Sequence, residues 1–174
     1  MACLFETEHL KIRKFAEEDA GALFKNHLEE AVRKWIPNES YADPEEARRA
    51  IHFYMDCVNN GKLPCVLAVE LKETGELIGD TGINEVAGKS NEVEIGYTIS
   101  QNYSGNGYAT ELVKAMTEFA ASTLGVDTLY GRVLRGNYAS VRVMEKNGYI
   151  PAGEETDAED DPYGNGMLIY KKEC

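Results

Sequence analysis

Residues 102–109 read Asn-Tyr-Ser-Gly-Asn-Gly-Tyr-Ala and lie between an alternating apolar segment and a long amphipathic one. Gly105 and Gly107 permit a tight turn that exposes consecutive N–H groups, and a helix starting there adds the positive end of its dipole. Such a combination is a pyrophosphate cradle, although the same Gly-x-Gly spacing also serves as a plain tight connection. A dinucleotide fingerprint is a poor fit, because its third glycine would be Ala109 and no acid is placed to read a ribose. Downstream, Asn137 and Ser140 stand three apart and share one helical face, where Asn137 also reads as an N-cap. Glu94 places a carboxylate on the strand before the loop. The segment Glu154–Asp161 (Glu-Glu-Thr-Asp-Ala-Glu-Asp-Asp) reads either as a solvated turn or as an attractor for a cation.

The elements that must position these residues alternate in type. His9–Phe15 is a strand and Ala16 to about Glu30 a helix with Ala20, Leu23, Phe24, Leu28 and Ala31 on one face, broken at Trp35-Ile36-Pro37. Asp43-Pro44-Glu45-Glu46 opens a second helix with a cap, a proline at the first position and acids near the dipole; it runs to Asn59-Asn60-Gly61. Cys65–Leu71 and Glu76–Asn84 form a hairpin about Lys72–Gly75. Glu92–Ser100 is the next strand, with Val93, Ile95, Tyr97 and Ile99 alternating against Glu94, Gly96 and Thr98. After the glycine loop, Ala109, Leu112, Val113, Met116, Phe119 and Ala120 make one helical stripe that Gly125 ends. Asp127–Leu134 is a strand, Asn137 to Asn147-Gly148 a short helix, and strands from Tyr149 and over Gly166–Lys172 flank the acidic segment. The order is mixed α/β, and the hairpin excludes a purely parallel doubly wound sheet.

A chain of 174 residues with 43% hydrophobic and 28% charged content suits one soluble domain. A formal charge of −12 argues against nucleic acid as partner, since phosphate binding needs clustered Lys and Arg. No run approaches the roughly 20 apolar residues of a membrane span, and no signal-like segment opens the chain, so a cytoplasmic location without membrane contact is expected. Cys3, Cys57, Cys65 and Cys174 show no C-x-x-C spacing and the histidines are dispersed, so free thiols and no metal are expected. Exposed strands near the C-terminus leave a monomer or a homodimer open.

Three linked segments, Glu94-Ile95-Gly96-Tyr97, then Gly105 to Glu111, then Asn137-Tyr138-Ala139-Ser140 ahead of Glu145-Lys146-Asn147-Gly148-Tyr149, resemble the GNAT N-acetyltransferase superfamily. The likeness is greatest to the branch holding the RimJ/RimL-like ribosomal-protein alanine acetyltransferases, and it covers His9 to Tyr170. It implies a single domain over residues 1–174 with its core over about 9–172. The implied fold is a mixed, mainly antiparallel sheet of about seven strands flanked by about four helices.

The resemblance also implies acetyl-CoA as acyl donor. The backbone N–H groups of Ser104, Gly105, Asn106, Gly107, Tyr108, Ala109 and Thr110 would hold the pyrophosphate of coenzyme A, with Ser104 standing where the family has Gln or Arg. Ile99 and Gln101 are the implied backbone positions beside the pantetheine arm, and Gly96 would leave room for the acetyl group or amine unless it marks a bulge or close packing. Asn137 would touch coenzyme A, and Ser140, near the thiol, becomes the candidate acid because Met144 replaces the tyrosine that many members use. Arg135, Arg142 and Lys146 read as ribose-phosphate contacts or surface charges, and Trp35 as an acceptor-pocket or core residue.

Direct transfer requires a neutral amine. At neutral pH, deprotonating a lysine-type amine costs on the order of 4 kcal/mol and an α-amine about 1 kcal/mol. Glu94 is the candidate base, directly or through a water, with Glu159 in reserve. The acceptor is accordingly a protein N-terminal α-amine or a small cationic amine. A non-catalytic acyl-CoA-binding or regulatory module is the alternative, which the absent tyrosine favours.

Overall fold

The computed structural model describes residues 3–174. Eight strands are hydrogen-bonded in the order β1-β2-β3-β4-β5-β6-β8-β7. They are β1 (Cys3–Glu6), β2 (Leu10–Arg13), β3 (Cys65–Leu71), β4 (Leu77–Val86), β5 (Lys89–Ile99), β6 (Thr128–Leu134), β7 (Ile150–Glu155) and β8 (Met167–Glu173). The α-helices are α1 (Ala20–His27), α2 (Glu30–Trp35), α3 (Pro44–Asn59), α4 (Tyr108–Thr123) and α5 (Tyr138–Lys146). The pairings β1–β2, β2–β3, β6–β8 and β7–β8 are antiparallel, whereas β5–β6 is parallel. The mixed, mainly antiparallel class is therefore as expected, but the count differs by one strand and one helix. The added strand is β1, whose four residues carry no alternation and pair with β2 through a register shift. The added helix arises because the first helical segment stops at His27 and restarts at Glu30.

The chain divides into two compact units, with β4 and β5 each running through both. The first contains the described residues up to Gly82 and Tyr97–Tyr108. Its core joins Phe15, Ala20, Leu23, Ala47, Ile51, Ala68 and Leu77. Helix α3 presents Ala47 and Ile51, four apart, because its start is fixed: the Asp43 carboxylate accepts from the Glu46 N–H at 2.8 Å, and Pro44 opens the helix. Strands β4 and β5 approach closely at Gly79, where a Cβ would lie 2.1 Å from the Thr98 carbonyl oxygen.

A buried polar group sits in the same unit. His27 is 1% exposed, and its Nδ1 faces the Glu39 carbonyl while its Nε2 lies 2.6 Å from Asp80 Oδ2. That oxygen also accepts from the Thr98 hydroxyl at 2.8 Å. Neutral imidazole donates through one nitrogen, so facing two acceptors favours the doubly protonated ring. Burial pushes the His27 pKa down, but the charge and hydrogen bond of Asp80, with the Glu39 carbonyl, outweigh it and lift the value to about 9.

The second unit comprises Ile83–Gly96 and Ala109–Cys174. In it α4 buries Leu112, Val113, Met116, Thr117 and Ala120, so Thr117 joins the expected stripe and Phe119 sits only half-buried. The Thr117 hydroxyl is satisfied there by the Val113 carbonyl and the Tyr149 hydroxyl, each at 2.7 Å. At the sheet's end β7 is exposed along its whole length. No helix among the described residues is long and apolar enough to cross a membrane.

His27 binds its proton more tightly folded, with a pKa of about 9, than unfolded, near 6.5. Its contribution is therefore complete below pH 6.5 and is lost as pH rises through 9, on the order of 3 kcal/mol in all. Urea midpoints between pH 6 and 10 should fall accordingly for the natural protein and show a flatter profile for His27→Gln.

Candidate active site

The glycine loop belongs to the first unit. After β5, one turn of 3-10 helix (Gln101–Tyr103) leads into residues 104–107. Gly105 and Gly107 have φ of +79° and +80°, and nothing lies within 4 Å of a Cβ built on either. Conformation and not crowding requires glycine at both. The Ser104 N–H and hydroxyl donate to the Gln101 carbonyl at 3.2 and 2.8 Å, and the Asn106 side chain donates to the Tyr103 carbonyl at 3.0 Å. Among the described residues, the N–H groups of Gly105, Asn106 and Gly107 donate to no protein acceptor. The first turn of α4, with Tyr108, Ala109 and Thr110, adds N–H groups that helix geometry leaves unpaired. The exposed Gly105–Gly107 segment thus immediately precedes a 16-residue helix in the chain.

Two neighbouring positions are differently employed. The Gln101 N–H donates to the Glu29 carboxylate at 2.7 Å, and its carbonyl receives both Ser104 donors. Ile99, half-buried, is the last residue of β5. Burial along β5 changes phase: Val93 and Ile95 are buried, then Thr98, so the period of two slips between Ile95 and Thr98.

The second unit holds Glu94. Its backbone is paired in parallel register with Tyr130 of β6, and Arg132 lies two residues further on the same face. Arg132 is bound bidentately twice. Nη1 and Nη2 donate to Asp160 at 2.6 and 2.9 Å, and Nη2 and Nε donate to Glu155 at 2.6 and 3.2 Å. Glu94 is half-buried, and its carboxylate is acted on by burial and by neighbouring charges, with no hydrogen bond among the causes of its shift. Desolvation raises its pKa above the ordinary carboxylate range; Arg132 opposes the shift, while Asp160 and Glu155 reinforce it. Gly96, the next residue on that strand face, has open space around a built Cβ, which excludes close packing as the reason for the glycine.

On α5 the Asn137 side-chain Oδ1 caps the helix by accepting from the Ser140 N–H at 3.3 Å, and Ser140 is half-buried. Met144 is 1% exposed, and its sulfur would stand 2.5 Å from a Cβ on Gly131 of β6. That face of α5 is therefore committed to packing on the sheet. Trp35 is half-buried at the end of α2, with Lys34 Nζ 4.7 Å from the ring centroid.

The acidic segment is more structured than its composition suggests. Glu154 and Glu155 belong to β7, Glu154 pairs with Arg135 at 2.5 Å, and Asp161 accepts from the N–H groups of Tyr163, Gly164 and Gly166. Glu159 is exposed, as are Arg142 and Lys146. Arg132 and Glu29 went unnoticed in the sequence; an arginine alternating with Leu129, Gly131 and Val133 was the available signal for the first.

Residues 9–150 match the family profile described as Acetyltransferase (GNAT) domain. The chain belongs to the GNAT acetyltransferase family. This acetyltransferase is 28% identical over 153 residues to the uncharacterised N-acetyltransferase p20 of Bacillus licheniformis, covering 88% of this chain and 85% of that one. The acetyltransferase shares its fold with the ribosomal-protein-S5-alanine acetyltransferase of Vibrio fischeri, at a TM-score of 0.85, 18% identity and coverage of 97% and 95%. It shares it also with the spermidine N-acetyltransferase of Vibrio cholerae, solved with CoA and spermine, at a TM-score of 0.81, 16% identity and 96% coverage of each chain.

Because Arg132 is held by Asp160, removing that charge should release the guanidinium toward Glu94. Asp160→Asn should lower the Glu94 pKa, and Arg132→Met should raise it. Side-chain carboxyl chemical shifts followed by NMR titration measure both.

Proposed function

We propose that this acetyltransferase moves an acetyl group from acetyl-CoA to a primary amine by direct attack. The observation that carries the reading is the row of exposed N–H groups from Gly105 to Gly107, continued by the first turn of α4. Such donors suit the pyrophosphate of coenzyme A. Asn137 supports the same reading, since its side-chain oxygen is spent on the cap and its NH2 group is left for a ligand. Ile99 and Gln101 serve the pantetheine arm only through groups that the turn leaves over, because the Gln101 N–H is already taken by Glu29.

Glu94 is the proposed base. A carboxylate with a raised pKa accepts a proton more readily than an ordinary one, and its half-buried setting suits an α-amine whose pKa is already near 8. In the step, the amine nitrogen attacks the thioester carbonyl and the carbon–sulfur bond breaks. The amine proton passes to Glu94, and the departing thiolate is protonated from Ser140 or solvent. The excess of carboxylates around Arg132 favours a cationic acceptor. A protein N-terminus and a small polyamine both answer that description, in keeping with the names of the two Vibrio proteins.

Calorimetric titration with acetyl-CoA, followed by thiol release with a panel of amines, tests the reading; no thiol release with any amine leaves a binding module. Gly107→Val forces a side chain into φ +80°, and should weaken coenzyme A binding at least about tenfold. Glu94→Gln should reduce kcat about a hundredfold and remove the acidic limb of the pH–rate profile. An unchanged profile in that variant excludes Glu94 as base.

A further inference from the structure

Glu29 lies at the junction of α1 and α2, in the N-cap position of α2, yet its side chain makes no capping hydrogen bond. Only its backbone carbonyl serves the helix, accepting from the Arg33 N–H at 2.9 Å. The carboxylate turns to the end of β5, where Oε1 accepts from the Ser100 hydroxyl at 2.6 Å and Oε2 from the Gln101 N–H at 2.7 Å. These are charge-assisted bonds, and Ser100 is buried. Each atom of the following turn then depends on the last. The Ser100 carbonyl receives the Tyr103 N–H at 2.9 Å, the Gln101 carbonyl receives Ser104, and Gly105 comes next. Two residues before Glu29, His27 holds Thr98 through Asp80, so the junction grips β5 at Thr98 and the chain just past its end at Ser100.

We propose that Glu29 is a positioning residue for acyl-donor binding: its carboxylate fixes the turn from which the Gly105–Gly107 N–H groups are presented. The proposal rests on the reading of that loop as the coenzyme A site. It also gives a sign opposite to simple electrostatics. A carboxylate near a pyrophosphate site repels the ligand, so neutralising it would strengthen binding if charge were the only effect. A positioning role requires weaker binding on neutralisation. Glutamine at this place offers one acceptor and one NH2 group to two donors, so one bond is lost and its partner is left unsatisfied.

The test measures coenzyme A affinity by calorimetry for the natural protein, Glu29→Gln and Ser100→Ala, together with steady-state kinetics on an amine found in the panel. The expected result is about tenfold weaker binding for Glu29→Gln and about threefold for Ser100→Ala. The KM for acetyl-CoA should rise in parallel, with kcat at saturating donor and the acceptor KM within about twofold of the natural values. Unchanged or tighter coenzyme A binding in a folded Glu29→Gln protein, whatever its melting temperature, overturns the proposal. Should that variant fail to fold, natural affinity in Ser100→Ala overturns it equally. Failure of the natural protein to bind coenzyme A instead removes the reading of the loop, and this proposal with it.

Discussion

The guanidinium of Arg132 has a fixed fork of donors, and two carboxylates occupy it. Glu155 reaches it from β7 and Asp160 from the segment beyond, so one side chain of β6 anchors both. The third carboxylate in its field, Glu94, receives attraction without a bond. Burial lifts its pKa, Arg132 opposes the rise, and Asp160 and Glu155 add to it. The proton on Glu94 is held more firmly than on a free carboxylate, and the surplus negative charge favours an approaching ammonium group. Burial of Glu94, the largest cause of the first effect, also sharpens the second, because fields fall off less steeply where water is scarce.

The first unit solves a different problem with the same means. A loop that binds an anion through N–H groups must leave those groups without internal acceptors, which a folded chain otherwise avoids. Here the residues just before the loop carry most of the hydrogen bonds that hold the turn. Ser100, Gln101, Tyr103 and Ser104 are tied to Glu29, to one another and to Glu76, and Asn106 folds its amide back on the turn. Gly105 and Gly107 hold positive φ values that other residues rarely adopt. Rigidity is thus supplied by neighbours, while the N–H groups of Gly105, Asn106 and Gly107 donate to no acceptor among the described residues.

What was legible in the sequence was local. Gly105 and Gly107 announce positive φ, Asp43-Pro44 announces a helix start, Asn137 announces a cap, and the α4 stripe announces its buried face; each depends on residues within about one helical turn. What was not legible depends on pairs far apart in the chain. Glu29 meets Ser100 across 71 positions and Arg132 meets Asp160 across 28, and no spacing rule connects them. Glu29 read as one of the last residues of a single first helix, because the break after His27 lacks glycine and proline. The strand β1 was invisible because its order comes from β2 and not from its own pattern. The acidic segment looked like a solvated turn because composition does not say which acids have found an arginine. Thr117 entered the core because Tyr149 brought a partner hydroxyl.

The outermost strand, β7, carries a further consequence. A sheet edge is normally a template on which any extended chain can crystallise into one more strand, the first event in many aggregates. Here the edge begins Ile150-Pro151, and the proline has no N–H to offer. The register against β8 slips between Pro151 and Gly153, and the strand closes on two glutamates. An incoming strand would meet a missing donor, a kink and like charge within six residues. The arginine-binding acids at the end of β7 therefore double as gatekeepers: the carboxylates that shape the field at Glu94 also keep the sheet from growing.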